Sequence, residues 1–162
     1  MLRKNHTFYE SNKYPRKMYN YEKFHSVGGI TLKPKIYIDG KDGTTGLQIY
    51  DRLSARSDID LLLIDESKRK DPAERKKLLN AADLVFLCLP DAAAIEAAAL
   101  IENPAVRVID ASTAHRTAEG WVYGFAELLP GQRQRIKFSS RVANPGCHAT
   151  GFLSTVAPLI EL

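Results

Sequence analysis

Cys147 stands in the stretch RVANPGCHATGF, residues 141–152, between an Asn-Pro-Gly break and a segment with helical spacing. Cysteine attacks an acyl carbon as its thiolate, and the partial positive charge at a helix N-terminus stabilises that anion. A cysteine opening a helix is therefore a candidate nucleophile, with a buried inert thiol as the rival reading. The other cysteine, Cys88, lies between Leu87 and Leu89 in an apolar run and reads as an inert core residue. Two cysteines so far apart do not make the dense disulfide framework of a small secreted chain, so a reducing, cytoplasmic setting is expected.

A second group of residues has the chemistry of an anion cradle. In DGKDGTTG, Gly40, Gly43 and Gly46 recur at spacing three after the strand candidate KIYID, residues 35–39. At a strand-to-helix turn, glycines let the backbone approach a pyrophosphate, and the helix N-terminus supplies unpaired N–H groups. Thr44 and Thr45 add hydroxyl donors. The spacing departs from the commoner GxGxxG, so the pattern gains its meaning from its place after the first strand. Asp65 follows Gly46 at the end of the second strand candidate, where an acid takes ribose hydroxyls and favours NAD. Ser67, Lys68, Arg69 and Lys70 come next and are suited to a 2′-phosphate, which favours NADP. These residues by themselves leave both dinucleotides open.

A third group is IDASTAHR, residues 109–116, placing Ser112, His115 and Arg116 beyond the end of a strand. Hydroxyl, imidazole and guanidinium there are expected to grip an anionic substrate, with Arg116 the residue for a phosphate. No metal site is expected.

The elements that must position these groups are legible in the spacing. Buried strands are predicted at 35–39, 59–65, 84–90 and 106–110, with a short one at 141–144. Between them lie helices: one after the glycine turn, one opened by Asp71 as cap with Pro72 and Glu74 behind it, and an alanine-rich one that Asp91 is expected to cap. Residues 111–141 are less regular. Strands alternating with helices at this spacing predict an α/β fold, a doubly wound parallel sheet.

The chain has 162 residues, 44% of them apolar, which is enough for one core. No run approaches the roughly 18 apolar residues of a membrane span, so no membrane partner is expected. The net charge of +4 is not spread over the chain. Residues 1–33 carry seven Lys or Arg against two Glu, leaving the remainder close to neutral. This leader lacks the apolar stretch of a secretory signal and reads as a disordered basic extension. An RNA-binding tail is the sharper alternative, because stacking plus phosphate contacts would need such interleaved Lys and Tyr. No nucleic-acid partner is expected for the domain.

With DGTTG, STAHR, YGFAEL (123–128) and ANPGCHATG present in this order, the chain resembles the N-acetyl-γ-glutamyl-phosphate reductase family, in its shorter bacterial form, over about residues 34–162. The resemblance implies a Rossmann-like dinucleotide-binding domain and reductive dephosphorylation of an acyl phosphate by NADPH in arginine biosynthesis. It implies Cys147 as the catalytic nucleophile, Arg116 as the phosphate ligand, and the turn at 40–46 as the cofactor loop, with NADP(H) the cofactor and Ser67 and Arg69 beside it. The family's usual aromatic residue after the cysteine is replaced here by His148. The resemblance also implies a following substrate and dimerisation domain that supplies the general base, and homo-oligomers in the full-length family. Residues 34–162 are expected to be the cofactor domain truncated before it. A related reductase with another acyl phosphate, or a non-catalytic dinucleotide-binding or assembly module, are the alternatives.

Overall fold

The computed structural model describes residues 33–160; the leader reading covers residues 1–33, of which all but Lys33 lie outside them. Six strands form one sheet: β1 (Lys35–Asp39), β2 (Asp60–Leu62), β3 (Leu84–Leu87), β4 (Arg107–Asp110), β5 (Val122–Tyr123) and β6 (Arg141–Ala143). Five α-helices accompany them: α1 (Thr44–Ser54), α2 (Pro72–Ala81), α3 (Asp91–Ala99), α4 (Gln132–Phe138) and α5 (Cys147–Ile160). The strand order is β2-β1-β3-β4-β6-β5, and every neighbouring pair is parallel. The chain leaves β1 toward one edge and returns past it to β3, so the order reverses between β1 and β3. In an open parallel sheet that reversal opens a crevice at the carboxyl ends of the strands.

The continuous apolar runs become the interior strands. Tyr37, Val85, Leu87 and Val108 are at most 2% exposed and join Leu79 of α2 and Ala97 of α3 in one core. The strand predicted over 59–65 shortens to Asp60–Leu62, because β2 is an edge strand with β1 as its one neighbour. Leu63 is left 57% exposed. The strand predicted over 84–90 ends at Leu87, although Cys88 N still donates to Asp39 O at 2.8 Å.

Helix starts divide between expectation and correction. Asp71 caps α2 as predicted, accepting from Ala73 N at 2.9 Å with Pro72 in the first turn. Asp91 does not cap α3: Pro90 holds that position, and the Asp91 carboxylate turns to Thr113 instead. In the irregular stretch, Gly124 N donates to Ala143 O at 2.8 Å just past the two-residue β5, and α4 follows a left-handed Gly131.

The glycine turn is packed as tightly as its composition allows. Gly40 has φ +85°, and a Cβ there would overlap the Cys88 carbonyl oxygen. A Cβ on Gly46 would overlap the Gly40 carbonyl oxygen and come within 2.8 Å of the Lys41 Cα. Both obstacles are backbone, so neither yields cheaply. Gly46→Ala is expected to destabilise the domain by about 2 kcal/mol, within the usual cost of overpacking, and to weaken dinucleotide binding by opening the turn. A urea melt checks the first effect, and a variant as stable as the parent would contradict this packing.

Candidate active site

All six strands run in one direction, so the loops after β1, β3, β4 and β6 emerge at one edge of the sheet. The first carries the glycine turn. Gly43 N donates to Gly40 O at 3.1 Å, and Leu47 N to Gly43 O at 2.8 Å. No side chain caps α1 and its first turn has no acid, so the N–H groups of Thr44, Thr45 and Gly46 have no intrahelical acceptor. Gly43 differs from its two partners, since a Cβ there would meet the chain only at ordinary contact distance, 3.5 Å. Packing within the protein demands glycine at 40 and 46 but not at 43. An outside group lying close against the turn would demand it, and this is how a pyrophosphate binds.

Beside the turn, at the reversal of strand order, a cavity of about 560 Å³ is lined by Asp39, Gly40, Gly43, Ile64, Arg69 and Leu89 among others. Asp65 spends its carboxylate on Ser67, accepting from the backbone N at 2.8 Å and from Oγ. Those bonds, with the Ser67 hydroxyl first, hold the Asp65 carboxyl below the usual carboxylate range. They also start a 3-10 turn over Glu66–Lys68. Arg69 reaches back to the glycine turn, its Nη1 at 2.8 Å from Asp42 Oδ2, and lies 3.6 Å from Glu66. The floor holds a pair that sequence reading missed: Arg75 of α2 donates to Asp39 at 2.8 Å, with side chains only 12% and 6% exposed.

The loop after β4 carries the expected anion ligands, and the structure separates them. Ser112 and His115 are both buried on Asp110. Ser112 donates to it from N at 2.9 Å and from Oγ at 2.6 Å, and His115 Nδ1 lies 2.6 Å from its Oδ2. Arg116 instead reaches the loop after β6, where its Nη1 lies 2.5 Å from the place a Cβ on Gly146 would occupy. Its Nε is buried with no hydrogen-bond partner in the protein. Such an orphan donor is what a bound anion would satisfy.

Cys147 is the first residue of α5 and is exposed. Its Sγ lies 3.6 Å from His148 Nδ1. The Arg116 guanidinium therefore rests on the residue adjoining the candidate nucleophile, at the amino end of a helix with no acid in its first turn. Cys88 is half-buried at the carboxyl end of β3, where burial first, then the charges of Asp110 and Asp39, push its thiol up to about 11. Among the described residues no cluster of three or more His, Cys, Asp or Glu could hold a metal, and no helix is long and apolar enough to cross a membrane.

Residues 64–136 match the family described as semialdehyde dehydrogenase, NAD binding domain. The chain is 62% identical over 128 residues to the N-acetyl-gamma-glutamyl-phosphate reductase of Trichormus variabilis, an alignment covering 79% of this chain and 40% of that protein. It is 56% identical over 126 residues to the enzyme of that name from Burkholderia ambifaria, covering 78% and 40%. Over these residues the chain is similar to proteins named N-acetyl-gamma-glutamyl-phosphate reductase. It spans about 40% of the length of those relatives. Among solved structures, the fold is shared with aspartate semialdehyde dehydrogenase II from Vibrio cholerae (TM-score 0.57, 14% identity, 80% of this chain and 43% of that one). It is shared too with aspartate semialdehyde dehydrogenase from Francisella tularensis (TM-score 0.57, 14% identity, 79% and 41%). The family's domain binds a nicotinamide dinucleotide, and the glycine turn with its open helix end and adjoining cavity fits that cofactor.

Proposed function

We propose that residues 34–162 are the cofactor-binding, cysteine-bearing part of an enzyme that reduces N-acetyl-γ-glutamyl phosphate to N-acetylglutamate semialdehyde with NADPH. The observation that carries this reading is Arg116, laid on Gly146 with an unpartnered buried Nε, next to Cys147 at the start of α5. Cys147 Sγ attacks the acyl carbon, the bond from that carbon to the phosphate oxygen breaks, and inorganic phosphate leaves with its charge on Arg116. The product is a thioester on Cys147. When bound, the dinucleotide supplies hydride to the thioester carbon. Collapse of the reduced adduct breaks the C–S bond, frees the aldehyde and returns the thiolate. A dedicated proton donor belongs to the second, substrate and dimerisation domain that this reading includes. α5 offers a surface for such a domain, since it buries none of its residues and exposes Phe152, Leu159 and Ile160.

NADP rather than NAD is supported by the state of the acid after β2. The Asp65 carboxylate is engaged by Ser67, while Arg69 and Lys70 line the cavity beside it. A 2′-phosphate would take the Ser67 hydroxyl and the Arg69 guanidinium in place of Asp65 and Asp42.

The test uses the whole 162-residue chain. NADPH and NADH are titrated by fluorescence, then the acyl phosphate is added to the dinucleotide-loaded protein and loss of reduced cofactor is followed with phosphate release. NADPH is expected to bind at least about tenfold tighter, the value of one hydrogen bond to a charged group, and Arg69→Ala to erase the difference. Cofactor consumption matched by phosphate release establishes the reaction. Binding with neither consumption nor phosphate release favours the second reading, a dinucleotide-binding module without turnover, and binding of neither cofactor overturns both.

A further inference from the structure

Asp110 is completely buried, although none of the reacting groups touches it. A buried carboxylate is costly unless fully hydrogen-bonded, and this one is. It accepts from Ser112 N, Ser112 Oγ and His115 Nδ1 at 2.9, 2.6 and 2.6 Å. Because a carboxylate only accepts, His115 carries a hydrogen on Nδ1. The imidazole is fixed a second time by Trp121, stacked at 4.0 Å between centroids and 14° between planes. Thr113, between these two anchors, gives its N and Oγ to the Asp91 carboxylate, the former at 2.9 Å. Every residue from Ser112 to His115 except Ala114 is thus tied by its side chain, and Ala114 N donates to Ser112 Oγ at 3.2 Å. The next residue is Arg116.

We propose that Asp110, acting through His115 and Ser112, is the positioning residue that holds Arg116 against Gly146 beside Cys147. A long arginine side chain has many rotamers in solution, and a loop free to move would carry its guanidinium away from the sulfur. The frame removes the backbone part of that freedom before any ligand arrives. This inference rests on the proposed function only in giving Arg116 an acyl phosphate to hold; the placement of the guanidinium against Gly146, the residue before Cys147, is independent of turnover.

Two alkylating reagents that differ in charge measure that placement. Iodoacetate is an anion and iodoacetamide is neutral, so the ratio of their rates at Cys147 reports a nearby positive charge and cancels changes in the sulfur's own reactivity. Arg116→Gln is expected to lower the ratio about three- to tenfold, the discrimination one partly screened charge gives from a neighbouring residue. Asp110→Asn is expected to lower it comparably, and the double variant no further than Arg116→Gln alone, because both changes remove the same interaction. His115→Phe keeps an aromatic ring on Trp121 but loses the donor to Asp110; it should lower the ratio, and His115→Asn, which restores a donor, should recover it. The His115 pair decides the matter if Asp110→Asn does not fold. A parental ratio in folded Asp110→Asn, or in folded His115→Phe, overturns the positioning role and leaves the cluster as core packing. An unchanged ratio in Arg116→Gln overturns it as well, together with the phosphate role of Arg116. A ratio that moves as expected in a chain that neither binds dinucleotide nor consumes it keeps the positioning role and sinks the proposed reaction.

Discussion

Mixed with an acyl phosphate, the chain should gain one acyl group, on Cys147, and the Cys147→Ala variant none. The two cysteines differ in every property that governs attack. Cys88 is half-buried at the end of β3 and its thiol is pushed up to about 11 by desolvation, with Asp110 and Asp39 adding to the shift. At pH 8 about one Cys88 in a thousand is therefore thiolate. Cys147 is exposed at the head of α5, open to reagents from solvent. Iodoacetamide at pH 8 should therefore modify Cys147 at least about a hundredfold faster than Cys88. Intact mass followed by peptide mapping reads both reactions. An acyl group on Cys88, or one retained in Cys147→Ala, would remove Cys147 from the nucleophile's place.

Arg75→Leu should be the most destabilising single change at the cofactor cavity. Arg75 and Asp39 are paired at 2.8 Å with little exposure of either side chain, and hydrogen bonding to Asp39 raises the arginine's proton affinity above its ordinary value. Removing the guanidinium leaves the Asp39 carboxylate 4% exposed at the end of β1 without its cation. Breaking such a pair from one side costs about 3–5 kcal/mol. The lower end is expected because the pair lines a cavity open to solvent. About 3 kcal/mol corresponds to a fall of roughly 10 °C in Tm for a domain of this size. Adding Asp39→Leu should return part of the loss, since the stranded charge is then gone. A loss below about 1 kcal/mol in Arg75→Leu would mean that water already screens the pair.

What could be read from sequence follows a simple boundary. KIYID and LVFLC announce strands because a parallel strand covered on both faces needs an unbroken apolar run, and Asp71-Pro72 announces α2 because capping and a fixed φ act within one turn. β5 gave no such sign, since Val122 and Tyr123 are too few to show a period; it exists because β6 offers it an edge. Ser112 and His115 were legible as polar residues beyond a strand, but not their partner, because nothing in a local pattern says that the Asp110 side chain turns back upon its own loop.

The chain's sequence by itself determined the order of elements from β1 to β4, the glycine turn and a cysteine at the head of a helix, all of which arise from interactions a few residues apart. The tertiary structure alone decided which charged groups meet. Arg75 finds Asp39 across 36 residues and Arg69 finds Asp42 across 27. Arg116 reaches Gly146 because β4 and β6 are neighbours in the sheet. Such meetings depend on strand order and loop path, and hydrophobic periodicity, which specifies only the face an element buries, carries no record of either.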